Sequence, residues 1–217
     1  MLMLRRLRSE SGFMLLELIM GTVVLTIVVA MFSQLMISIV TRDTAATNQA
    51  MLASEARPAL DAMANELRAA MCNNLTAPIT AANATSITFY TPDRATPYHL
   101  QQITYSVSGG VLTRQVTKST NTGGPPWTMG TPGTAQKIVQ SVVNPNAPNP
   151  LVVFHYYDSS SPTPVDLSPT NIALTAAQLP TVAQVRASLT VAPTTSHSAD
   201  RLTVQEDAAL RGGSQCS

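Results

Sequence analysis

Hydrophobic positions fall into three regimes along this chain. From Phe13 to Thr41 (FMLLELIMGTVVLTIVVAMFSQLMISIVT) they run almost without a break, with Glu17 as the single charge and Arg42 as the next. A run of this length spans a bilayer with residues to spare. From Leu52 onward the apolar residues become periodic: Leu52, Ala56, Leu60, Met63, Leu67 and Met71 recur at spacings of four and three. That spacing is one stripe of an amphipathic helix. Glu55, Arg57, Asp61, Glu66 and Arg68 take the opposite positions, which predicts that they face water. Joined end to end, the two segments predict one helix of roughly 85–90 Å at 1.5 Å per residue. Its first half is bare and its second half packs on a head. Pro58 lies within the stripe and predicts a kink. Asn73-Asn74 and Pro78 predict the end of the helix.

From Ala81 the period changes to two. Ser86–Thr91, Leu100–Val107, Val111–Thr117, Leu151–Tyr157, Val182–Val191 and Arg201–Gln205 read as strands. Gly109-Gly110 between the second and third is a hairpin signal. Thr120–Thr134 and Asn144–Pro150 read as loops. No strand–helix–strand alternation appears, so the head is expected to be an antiparallel sheet, giving an α+β fold.

Composition sharpens this picture. Of 217 residues, 12% are charged against 45% hydrophobic, and the net charge is +1. Such a balance argues against a whole-molecule nucleic-acid binder and against general disorder. The leader before Phe13 carries Arg5, Arg6 and Arg8 against one acid, Glu10. That asymmetry keeps the leader cytoplasmic and exports the rest. A cleaved secretory signal would have a shorter apolar core closed by a small-x-small site; a plain signal anchor is the other bland alternative.

Glu17 is what a plain anchor leaves unexplained. A carboxylate in mid-membrane is costly unless it is paired or protonated. It stands four residues after Phe13, close to one helical turn. Cleavage between Gly12 and Phe13 would give Phe13 a free α-ammonium, and that group pairs with a carboxylate. In a staggered filament the pair runs between neighbouring subunits, where two costly groups satisfy each other. Thr22, Thr26 and Ala30, every four residues, add a small-residue face of the kind that lets helices approach closely.

The string Gly12-Phe13-Met14-Leu15-Leu16-Glu17, after a basic leader and before an unbroken apolar helix, resembles a type IV prepilin signal. The resemblance implies that a prepilin peptidase cuts after Gly12 and methylates the Phe13 amine, with the apolar helix retained for assembly. The head is similar to that of PilW-type minor pilins and J-type pseudopilins of type II secretion. Ile103-Thr104-Tyr105-Ser106 with Gly109-Gly110-Val111-Leu112-Thr113-Arg114 carries this likeness. So do Phe154-His155-Tyr156-Tyr157-Asp158, the terminal Ala209-Leu210-Arg211, and Leu60 with Glu66-Leu67-Arg68 at the helix end. Gly212 and Ser159 depart from the pattern, which has Asn and Gly there. No proline lies between Phe13 and Thr41, which favours a minor over a major subunit. The family implies a pilin-like fold: leader 1–12, transmembrane and assembly helix 13–41, amphipathic half 42–72 and β-rich head 73–217. It implies other pilins or pseudopilins, the prepilin peptidase and the inner-membrane assembly platform as partners. It also implies a single-pass inner-membrane location with a periplasmic head before incorporation into the filament.

Candidate chemistry in the head is sparse. His99, His155 and His197 have no metal-ligand spacing, and no serine sits in a nucleophile elbow. Asp158 and Asp166 bracket a polar loop, but two carboxylates fall short of a calcium site. Asn74-Leu75-Thr76 and Asn83-Ala84-Thr85 match a glycosylation sequon by chance in a Thr-rich chain. No catalytic residue, cofactor or metal is therefore assigned, and an enzyme is not expected. The two cysteines, Cys72 and Cys216, are candidates for a disulfide in an oxidising compartment; reduced thiols are the alternative. Trp127, in a Gly/Pro-rich loop, is expected to tuck over the sheet edge rather than stand out as a partner contact. The second functional class left open is a membrane-anchored, adhesin-like binding module whose helix is only a tether.

Overall fold

The computed structural model describes the backbone of residues 4–74, 77–93, 95–122, 124–158, 173–193 and 201–210, and side chains from residue 15 onward. The chain divides into two compact units, Met1–Thr47 and Asn48–Ser217. One helix, α1 (Leu4–Arg68), contributes to both. The helix runs through Pro58 without a break. Proline there removes one N–H from the ladder, and its side chain is exposed, so the site costs no packing.

In the first unit the side chains from Leu15 to Val40 are exposed. Its most apolar 18-residue window has a mean hydropathy of 2.5, with none of it buried. A helix apolar all round and covered by nothing is long enough to cross a membrane as a single span.

In the second unit the last turns of α1 bury the predicted stripe. Ala56, Leu60, Met63 and Leu67 are inaccessible or nearly so, and Ala59 and Ala64 join them. They pack on two antiparallel sheets. The first has the order β1 (Ile79–Ala82), β2 (Ser86–Asp93), β3 (His99–Ser108), β4 (Val111–Lys118), β5 (Gln136–Val139). The second has the order β6 (Phe154–Asp158), β7 (Val182–Val191), β8 (Leu202–Ala209). Alternation decides the faces: Ile87, Phe89, Ile103, Tyr105 and Leu112 point inward from the first sheet, and Phe154, Tyr156, Val185 and Leu189 from the second. Gly109 and Gly110 close the β3–β4 hairpin at φ of +55° and +75°, the positive values that a tight hairpin turn needs.

The two sheets are sewn together by backbone. Val142 bridges Val191, and the Val153 and Phe154 amides both donate to Ala84 O. Buried Tyr156 adds a side-chain link, its hydroxyl 2.8 Å from Asn83 O and 3.2 Å from Ser86 O.

Several details depart from the sequence reading, among them β6, which begins at Phe154 and not at Leu151, and β8, which runs on to Ala209 and not only to Gln205. α1 ends at Arg68 and not at Asn73. Its final turn tightens, with Ala70 N donating to Leu67 O, and Met71 N then donates to Tyr90 O of β2. A sheet carbonyl thus captures the chain before the periodic pattern runs out. β1 and β5 are additional strands, each only four residues long. Glu66 and Arg68 belong to the packed interface, not to a water-facing stripe. Glu66 accepts from the Tyr105 hydroxyl and is paired with Arg114, while Arg68 pairs with Glu206.

Candidate functional site

The candidate site is the exposed apolar stretch of α1 with one carboxylate near its start. Glu17 is exposed and is the only ionisable residue between Phe13 and Thr41. Gly12 and Phe13 lie in the helical backbone, and their surroundings fall outside the described side chains. Phe13 and Glu17 are four residues apart on one helix, so their Cα atoms lie on the same side within about one turn.

The polar residues around Glu17 behave differently from it. Thr22 Oγ1 donates to Ile19 O at 2.9 Å, Thr26 Oγ1 to Val23 O at 2.7 Å and Ser33 Oγ to Val29 O at 2.9 Å. These hydroxyls satisfy themselves inside the helix and can enter lipid or a helix bundle without orphaned donors. Glu17 has no comparable internal solution, because a carboxylate only accepts and the carbonyls of a helix offer it no donor. The Thr22–Thr26–Ala30 face is therefore both small and hydrogen-bond neutral, whereas Glu17 calls for an external cation or donor.

No protein-family model and no curated protein matches the sequence.

The candidate residues of the head are dispersed. His99 lies on β3 with Nδ1 3.0 Å from Ser119 O, a contact that ties β3 to the residue after β4. His155 sits on β6 opposite Arg186 of β7. His197 and Asp166 lie outside the described residues, while Asp158 closes β6. Asn83 spends its side chain on its own turn, Oδ1 accepting from the Thr85 and Ser86 amides. Asn74 is described and Thr76 is not.

Trp127 is 8% exposed and packs with Leu100 and Tyr90 in a second, smaller cluster. Its ring centroid is 5.6 Å from that of Tyr98, tilted by 55°. The expectation of a tucked tryptophan holds. Cys72, four residues beyond the helix end, is disulfide-bonded; Cys216 lies outside the described residues.

The polar cluster that sequence reading missed is Glu66–Tyr105–Arg114. Arg114 engages the Glu66 carboxylate through both Nε (3.2 Å) and Nη2 (2.6 Å). Burial, then the adjacent Glu66 charge, pushes the Tyr105 hydroxyl well above its ordinary value of 10.0. The cluster ties the helix to the sheet. Its only advance signal was Arg114 alternating onto the same β-face as Leu112.

Proposed function

We propose that this chain is a minor pilin or pseudopilin, a structural subunit that helps prime or cap a type IV pilus or a type II secretion pseudopilus. The observation that carries this reading is Glu17. It is one carboxylate four residues past Phe13, on the stretch of α1 whose apolar side chains from Leu15 to Val40 are exposed. Removal of the leader by a prepilin peptidase creates a methylated ammonium at Phe13. In the filament that group meets the Glu17 carboxylate of a neighbour, and each meets the other's electrostatic need in an apolar surrounding.

Before assembly the helix resides in the inner membrane, with the head on the periplasmic side. The basic leader, Arg5, Arg6 and Arg8, supports that orientation. The head closes its own core, from Ala56 on α1 to Ala208 on β8, which leaves the exposed helix for partners. Those partners are other pilins or pseudopilins and the assembly platform. The work is packing and electrostatics, with no reaction of the chain's own.

The test is intact-mass and N-terminal analysis of the protein from cells with and without prepilin peptidase. An N-methylated Phe13 that depends on the peptidase is expected. An intact Met1 in both strains overturns the reading and leaves a signal-anchored head, the tethered binding module.

A further inference from the structure

Four ion pairs join elements of the second unit: Glu66 with Arg114, Arg68 with Glu206, Asp93 with Lys118 and Asp207 with Arg186. Arg57 and Asp61 of α1 differ. Both are exposed, and neither side chain has an ion-pair or hydrogen-bond partner among the described residues. They stand four residues apart, within reach of an intrahelical pair, but the cation comes first. That order is the less favourable one, because the helix dipole prefers the acid toward the N-terminus. Both charges are left for a partner outside the chain.

The residues beside them suit the approach of a second helix. Ser54, Pro58 and Ala62 recur every four residues along the same exposed side, and compact side chains let a neighbouring backbone come close. Ser54 returns its hydroxyl to Met51 O at 2.7 Å, so it brings no orphaned donor into a contact. Met51 precedes Pro58 by two helical turns and is 71% exposed. Beyond the apolar run, Tyr98 is the only other large hydrophobic side chain exposed among the described residues.

Charge order names the occupant. In the filament contact described above, the Phe13 cation of one subunit lies level with an acid four residues further along its neighbour. Arg57 and Asp61 repeat that order at that spacing. Because α1 is continuous from Leu4 to Arg68, one displacement of four residues, about 6 Å along the axis, serves both pairs. We propose that a second copy of this chain, parallel and displaced by four residues, docks on this face with its Asp61 against Arg57. Without displacement, Arg57 would face Arg57 and Asp61 would face Asp61. Exposed pairs contribute little affinity, so the effect of these charges is to select the register by making the undisplaced one repulsive. Resting on the pilin reading, this contact gives priming a physical step: a two-chain nucleus that already carries the offset of the filament.

The experiment is photo-cross-linking of the full-length chain carrying Ser54→p-benzoylphenylalanine, in membranes of cells that hold the prepilin peptidase. A dimer of the chain with itself, identified by mass, is expected. Arg57→Asp and Asp61→Arg are each expected to lower its yield several-fold. Both substitutions in one chain, or the two single variants expressed together, are expected to restore it. A dimer indifferent to both single variants overturns the proposal, as does a loss that neither combination restores. Cross-links to a different protein alone, or none, overturn it too. Leader cleavage is read by mass in the same samples. Normal cleavage with a charge-indifferent dimer overturns this contact and leaves the pilin reading standing. A charge-dependent dimer of uncleaved chains overturns the pilin reading and keeps the contact.

Discussion

The Tyr105 hydroxyl donates a 2.6 Å hydrogen bond to Oε2 of Glu66, across a sequence separation of 39 residues. Tyr105 is almost wholly buried, and Glu66 retains about a quarter of its side-chain exposure. The bond therefore sits at the edge of the core, where α1 meets β3, and Arg114 of β4 completes it from the next strand.

Removing the acceptor is predicted to cost more than removing the donor. Glu66→Ala leaves a buried hydroxyl without a partner and Arg114 without its carboxylate, a loss of about 1–3 kcal/mol. Tyr105→Phe leaves the Glu66–Arg114 pair intact and costs about 1 kcal/mol. Denaturant unfolding followed by Trp127 fluorescence measures both, and the double variant gives their coupling. Equal losses in the two single variants would show that the bond, not the orphaned hydroxyl, sets the cost.

The same tyrosine gives an alkaline signature. Burial raises the hydroxyls of Tyr105 and Tyr156 above the free value of 10.0. A raised folded value means that the folded state holds its protons longer than the unfolded state. The stability it contributes is complete below about pH 10 and is lost as pH rises beyond. Stability curves from pH 8 upward are predicted to fall less steeply in Tyr105→Phe and Tyr156→Phe than in the unaltered protein.

At the acid end the relevant group is Asp93. The Lys118 ammonium, 2.7 Å from Oδ2, and then the Ala95 amide hold its carboxyl below the usual 3.8. A lowered folded value contributes stability that is present above the unfolded value and lost as pH falls through the folded one. Stability is predicted to decline below about pH 4, and Asp93→Asn is predicted to flatten part of that decline. Asp207, held down in the same sense by Arg186 on β7, accounts for a further part. An unchanged acid limb in Asp93→Asn would remove this pair from the account.

Much of this was legible in the sequence, and the gaps have physical causes. The apolar run, the stripe from Ala56 to Leu67 and the Gly109-Gly110 hairpin are local signals, because burial and turn geometry act on neighbouring residues. Val182–Val191 was bounded to the residue because Val185, Ala187 and Leu189 alternate through its centre between valines at both ends. β1, with the sequence Ile79-Thr80-Ala81-Ala82, was not, since two alanines carry little strand preference. Glu66 was misread because helical periodicity knows nothing of the partner sheet. Its place between Tyr105 and Arg114 exists only after β3 and β4 have paired. Glu55 makes the same point, its Oε1 accepting from the Gln140 amide after β5. The N-terminal site is the reverse case, for Glu17 was legible from its own stretch of sequence, one carboxylate in an unbroken apolar run.

Gly110 tests how tightly the hairpin is coupled to the second sheet. Its φ is +75°, and a Cβ there would stand 3.1 Å from Val142 O. Val142 is also the residue whose amide donates to Gly110 O at 2.8 Å and which bridges Val191 of β7. Gly110→Ala is predicted to cost about 1–2 kcal/mol from the left-handed conformation alone, with the close contact adding to it. Gly109→Asn is predicted to cost little, because its φ of +55° suits asparagine and nothing lies within 4 Å. Thermal unfolding of the two variants checks the contrast, and equal melting points would remove the Val142 contact from the argument.

Glu17 separates anchoring from assembly. Replacing it with leucine removes the one charge from the exposed helix, and for a span in lipid this gains about 2.5–3.5 kcal/mol of insertion free energy. Carbonate extraction is therefore predicted to leave Glu17→Leu in the membrane at least as firmly as the unaltered chain. For the filament subunit proposed above, assembly is predicted to respond in the opposite direction. A neighbour's Phe13 ammonium would enter the apolar filament core unpaired, and an uncompensated buried charge costs about 3–5 kcal/mol. At roughly 1.4 kcal/mol per tenfold, that lowers incorporation by two orders of magnitude or more. The measurement is the ratio of sheared-filament protein to membrane protein, with leader cleavage checked by mass. A normal ratio in fully processed Glu17→Leu would mean that the carboxylate does not pair in the filament. A reduced ratio restored by Glu17→Asp would assign the loss to charge and not to helix packing, since the shorter acid keeps the charge while changing the side chain's reach.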